Sequence, residues 1–143
     1  MMKVSARNQL DGKVTRIVTG AVNNEVDITL EHGEVLTTVI TKESCETLDI
    51  REGKQAVAII KAPWVVLASV DSGLRFSARN QFRGKISKIV NGAVNSTVHL
   101  RTEKNLALTA IITNESRDEM ELHEGNEVIA LIKASSVILA TRA

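Results

Sequence analysis

The sequence predicts an all-β protein made of two tandem OB-like, five-stranded Greek-key barrels, each carrying one short helix. Three observations predict it. Ser5–Ala68 and Ser77–Ala140 align without a gap at a constant offset of 72 residues, and nearly half of the paired positions are identical. Within each copy, apolar and polar residues alternate over short runs, the period of half-buried strands. Both copies also share one element order, three strands, a short helix and two more strands, which is the order of an OB-like barrel.

Taken in turn, Gly12–Val18 alternates as the first strand, and Val26, Ile28 and Leu30 mark the inward face of the second, Val22–Leu30. Thr19-Gly20-Ala21 between them reads as a turn. Glu34–Thr41 is the third strand, after the His32-Gly33 turn. Thr41 is placed to cap a short helix reaching about Leu48, with Glu43 and Glu46 near its positive end. Gln55–Lys61 and Trp64–Ala68 complete the set, broken at Ala62-Pro63, where proline suits an edge or strand start. The second copy repeats the order, with its helix near Glu115–Met120 and its last strands at Glu127–Lys133 and Val137–Ala140. The units are therefore 2–68 and 75–142, joined by a linker, 69–74, short enough to keep them in contact.

Units this small sit near the lower limit for a self-sufficient core. The aliphatic pattern, with Trp64, Phe76 and Phe82 as the only aromatic residues, would expose apolar patches on a monomer, so a symmetric oligomer is expected. Cys45 is the single cysteine, its counterpart being Arg117, which excludes an intrachain disulfide framework and fits a reducing cytoplasm. The repeat starts too near Met1 for a signal peptide, and runs such as Ala56–Ile60 are too short to span a bilayer. Net charge is +1, so no global field draws nucleic acid or anionic lipid, and any anion site must be built locally.

Identity between the copies concentrates in polar or glycine-containing clusters, and a duplicated core alone would need only apolar character. Ser5-Ala6-Arg7-Asn8 and Ser77-Ala78-Arg79-Asn80 set a hydroxyl and a guanidinium two residues apart in an extended segment, on one side of the chain. Together they can grip an oxyanion; an edge-strand salt bridge with a solvated serine is the alternative. Lys61-Ala62 and Lys133-Ala134 end apolar strands, as anion ligands or as solvated edge lysines. Gly20-Ala21-Val22-Asn23 and Gly92-Ala93-Val94-Asn95 are either backbone N–H concavities for an anion or ordinary turns. Thr41 and Thr113 can donate a hydroxyl to a ligand or simply cap their helices. Catalysis has little to work with. His32, His99 and His123 face Lys104, Asp27 and Arg51 in the other copy and make neither a metal site nor a triad, while Asp27, Glu31, Glu34 and Glu103 read as solvated acids.

The sequence of motifs SARN, GK, GAVN, IT-ES, EG and IKA, at fixed spacing in both copies, resembles the mop domain of molybdate-binding proteins, and two such domains in tandem resemble the di-mop molbindins. The resemblance covers Met2–Arg142. It implies an OB-like barrel per unit, a homotrimer, a cytoplasmic location, and molybdate, or tungstate by similarity of size and charge, bound at subunit or barrel interfaces for storage or homeostasis. It implies no enzyme activity, no organic cofactor and no direct metal-cation ligands. Carried over, Ser5, Arg7, Lys61 and Ala62, with Ser77, Arg79, Lys133, Ala134 and Ser135, match the anion-binding positions. Thr41 and Thr113 match a contributing threonine. Gly20, Ala21, Val22 and Asn23, with Gly92, Ala93, Val94 and Asn95, match backbone donors of a second type of site. Pro63-Trp64 stands where the other copy has Ser135-Ser136, so the copies differ in hydrogen-bonding capacity there. The alternative from another class is an OB-fold nucleic-acid-binding module, which would want stacking aromatics and a basic groove that this composition does not supply.

Overall fold

The computed structural model describes residues 3–142. The first copy forms β1 (Asn8–Thr19), β2 (Asn23–Leu30), β3 (Val35–Thr41), α1 (Lys42–Thr47), β4 (Gln55–Ile60) and β5 (Val66–Ser69). The second forms β6 (Asn80–Asn91), β7 (Asn95–Thr102), β8 (Ala107–Thr113), α2 (Asn114–Glu119), β9 (Glu127–Ile132) and β10 (Ile138–Ala140). A 3-10 turn precedes the last strand of each copy, at Ala62–Trp64 and Ala134–Ser136. Pro63 sits at the start of that turn and not at the start of a strand, its fixed φ suiting the tight first turn.

The alternation read from the sequence is the alternation of burial: Val26, Ile28 and Leu30 of β2 face inward, as do Val98 and Leu100 of β7. Each long first strand bends at a bulge, where the register shifts between Val14 and Arg16, and between Ile86 and Lys88. Just before the bulge, Gly84 lets β7 come close; a Cβ there would stand 2.4 Å from the Arg101 carbonyl oxygen. Thr41 and Thr113 cap their helices by accepting a hydrogen bond from the N–H of Ser44 and Ser116.

The last strands cross over. The two five-stranded sheets run β10-β4-β1-β2-β3 and β5-β9-β6-β7-β8, all pairs antiparallel, so β5 and β10 each complete the sheet of the other copy. Element order correctly implies five strands per sheet but not this exchange, because both copies offer the same acceptor edge. Accordingly, the buried residues of both copies, from Val14 and Ile28 to Ile86 and Leu139, form one cluster. Glu34 departs from the expected solvated acid. It is buried and accepts a hydrogen bond from the Thr102 hydroxyl of the other copy. No helix among the described residues is long and apolar enough to cross a membrane.

Candidate anion-binding site

β3 and β8 are sheet edges, and an unpaired edge exposes backbone groups that need partners. Asn80 supplies them for β3. Its side-chain Oδ1 accepts from the Thr37 N–H at 2.7 Å, and its Nδ2 donates to the Thr37 carbonyl at 2.8 Å and to the Ile132 carbonyl at 3.2 Å. Asn8 does the same for β8 through the Thr109 N–H and carbonyl, at 2.8 and 2.7 Å. Both asparagines are 2% exposed. The last residue of the repeated Ser-Ala-Arg-Asn motif is thus a clamp between copies, a role missed at the sequence level, although an asparagine repeated at a strand start with no turn beside it was a usable signal.

The clamp fixes what precedes it. Ser77 and Arg79 lie in an irregular segment and not in a strand. That segment is held by Gln81, whose Nε2 donates to the carbonyls of Phe76 and Ala78, both at 3.0 Å; Gln9 holds Ala6 in the first copy at 2.8 Å. With Asn80 tied to Thr37, the segment runs along β3, whose Thr37, Val39 and Thr41 share one face. The exchange of β10 carries the Ala134–Ser136 turn to the same strand. Between them lies a cavity of about 430 Å³, lined by Ser77, Arg79, Lys133, Ala134 and Ser135 from the second copy and by Val39, Trp64 and Val66 from the first. The structure therefore brings the two predicted clusters of the second copy together, against a wall from the first.

The polar side chains of this cavity are exposed in the single chain, whereas Ala134 is buried and can offer a ligand only its backbone. Among the described residues, Lys133 makes no ion pair, nor do Arg7 and Lys61 of the first copy. Arg79 does. Both of its terminal nitrogens donate to the Glu25 carboxylate on β2, the second at 3.2 Å. That hydrogen bond holds the Glu25 carboxyl below its ordinary value against the opposing effect of burial, the charges of Arg79 and then Arg16 adding to the lowering, and the same bond raises Arg79. Ser5, Arg7, Lys61 and Ala62 occupy the equivalent places in the first copy, with Asn8 clamped to β8.

The glycine turns lie at the other end of β1 and β6 from their own serine and arginine. Gly20 donates its N–H to Asn24 Oδ1 at 3.2 Å, and Gly92 donates its own to the Asn95 carbonyl at 3.0 Å, so both glycine donors are engaged within their turns. Ala21, Val22 and Asn23 are exposed, as are Ala93, Val94 and Asn95. The Val22 and Val94 carbonyls accept from the first helical N–H groups, those of Lys42 and Asn114, at 2.8 Å. Thr41 and Thr113 are next to these turns, their hydroxyl oxygens committed to the caps and their protons to Ser44 and Ser116. In the second copy Arg117, in the place of Cys45, also ties Asn91 and Ser96 together at 2.6 and 2.8 Å. Cys45 itself is a buried free thiol. No group of three or more His, Cys, Asp or Glu side chains among the described residues could hold a metal ion.

Residues 4–67 match the TOBE domain, and residues 77–139 match it again. The chain belongs to the TOBE-domain family. Curated TOBE-domain relatives include the molybdenum transport protein ModE of Herbaspirillum seropedicae, 37% identical over 99% of this chain, and the molybdenum-pterin-binding protein MopA of Rhodobacter capsulatus, 40% identical over 97% of it. The chain spans about half the length of these curated relatives, 52% of each. A crystal structure of the cytoplasmic molybdate-binding protein ModG, with molybdate bound, superposes with a TM-score of 0.93 at 45% identity, covering 99% of this chain and 100% of that one. The tandem TOBE arrangement and its two curled five-stranded sheets are thus those of a di-mop protein.

Proposed function

We propose that the chain binds molybdate, and tungstate as its analogue, at sites built across the two copies, and serves intracellular molybdenum storage or homeostasis. The carrying observation is the convergence of Ser77, Arg79, Lys133 and Ser135 on one cavity of about 430 Å³, in a chain that superposes on molybdate-bound ModG. A tetrahedral dianion is balanced by two positive charges and saturated by several donors. Arg79 and Lys133 supply the first, and the hydroxyls with the backbone of the Ala134 turn supply the second. Ser5, Arg7 and Lys61 form the corresponding site of the first copy. The exposed turns of Ala21–Asn23 and Ala93–Asn95 are the second type of site, through backbone donors other than the glycines.

We read 2–68 and 75–142 as the binding units and 69–74 as their linker; the boundary at Met2 lies outside the described residues. A homotrimer is the proposed assembly, located in the cytoplasm. Trp64 and Val66, 40% and 56% exposed, line the cavity and supply apolar surface that a neighbouring subunit would cover. Enclosure would strengthen each hydrogen bond to the anion by lowering the local dielectric. The chemistry proposed is binding without catalysis.

Isothermal titration of the anion-free protein with molybdate, beside sulfate and phosphate, tests the proposal. Tight molybdate binding with weak controls is expected, and the Arg7→Ala, Arg79→Ala double variant should lose at least roughly tenfold in affinity while keeping its far-ultraviolet spectrum. Wild-type protein that releases no heat and retains no molybdate in equilibrium dialysis refutes it.

A further inference from the structure

The two anion sites share their serines, arginines and lysines but not the residues behind them. Glu25 lies on β2 directly across from Val39, which walls the cavity of the second copy. From there it grips both terminal nitrogens of Arg79. Arg16 stands 3.5 Å from Glu25 and 3.6 Å from Asp27, and Asp27 accepts from the Thr37 hydroxyl at 2.9 Å. Behind Arg79 there is therefore one cation and a pair of carboxylates. The equivalent positions behind Arg7 are Lys88, Thr97 and His99, one cation and no carboxylate, with His99 Nδ1 3.2 Å from the Thr109 hydroxyl. The two faces share the paired asparagine clamps and differ further where Pro63 stands in the place of Ser135.

We infer that Glu25 makes the two sites unequal, by occupying Arg79 and holding the second-copy site in a latched state, so that the Arg7 site fills first and more tightly. This rests on the proposed function. An incoming dianion at the second cavity must displace the carboxylate from the guanidinium fork or take the three N–H donors that Glu25 leaves on its other edges, and it does so near a negative charge. At the Arg7 site the fork has no carboxylate competitor at the Thr97 position. Glu25 touches the anion's ligand and not the anion, so it is an affinity-setting residue acting through Arg79.

Titration of the wild type, Glu25→Gln and Thr97→Glu with molybdate tests the inference. The wild type should resolve two classes of site from the serine and arginine clusters. Arg79→Ala should remove the weaker class and Arg7→Ala the stronger. Glu25→Gln should tighten the weaker class roughly fivefold, the scale of one exposed ion pair, and leave the stronger unchanged. Thr97→Glu, which installs the missing carboxylate, should weaken the stronger class by a similar factor, and does not depend on how Glu25→Gln folds. If both arginine variants each remove a class but neither Glu25→Gln nor Thr97→Glu shifts an affinity, Glu25 has no such role and molybdate binding stands. Failure of the wild type to bind molybdate overturns the function and this inference together.

Discussion

Replacing Asn80 by alanine or by aspartate probes the junction that positions the cavity. Alanine removes three hydrogen bonds, two to Thr37 and one to the Ile132 carbonyl, and strands the Thr37 N–H on a half-buried sheet edge. At about 1 kcal/mol for each bond, the loss is about 3 kcal/mol. Aspartate is nearly the same size and still accepts from the Thr37 N–H, but it has no protons for the two carbonyls and sets oxygen against oxygen. Its loss should be comparable, which separates hydrogen-bonding polarity from volume. For a chain of this length the melting temperature should fall by roughly 10 °C in either variant, read by far-ultraviolet circular dichroism against Arg75→Ala, an exposed change just after the linker expected to move it little. If both Asn80 variants melt within about 2 °C of the wild type, the clamp does not hold the copies together and the account of the junction fails.

Two further outcomes follow from the same structure. Gly84→Ala forces a Cβ against the Arg101 carbonyl, a backbone group that cannot swing aside, and should lower stability by about 1–3 kcal/mol in urea unfolding; an unchanged midpoint would show that β6 and β7 separate freely there. The Glu25 carboxyl titrates below its ordinary value in the folded chain, so its contribution is complete above the unfolded value and disappears as pH falls through the folded one. Urea midpoints should therefore decline through and below the ordinary carboxylate range, and Glu25→Gln should decline less; equal slopes in the two proteins would refute the link.

The strands, helices and caps were legible because each rests on local chemistry: the alternation of Val26, Ile28 and Leu30, and the hydroxyl of Thr41 placed before a helix. Ser77, Arg79, Lys133 and Ala134 could be singled out because identity persisted between copies where a core would not demand it, whereas Ser135, opposite Pro63, came only from the resemblance to the mop domain. What escaped depends on contacts between copies. Asn8 and Asn80 stand out as asparagines repeated at a strand start, but what they clamp is invisible until a sheet edge of the other copy is set beside them. Glu34 reads as a solvated acid until Thr102, from the other copy, encloses it. Glu25 looks like any charge on a strand face, and only the exchange of the last strands puts Arg79 within its reach.

That exchange also bears on how such a chain could arise and be taken apart. A single copy of this module would carry a strand with no place in its own sheet and a sheet lacking its final strand, so it could close only by meeting a second copy. Fusion through the short connection after Ser69 converts that encounter into an internal event at an effective concentration of order millimolar. Proteolysis in the connection should then release no free half. The nicked pieces would remain threaded through one another, each still bounding the other's anion pocket, and the duplication would outlast the covalent bond that made it possible.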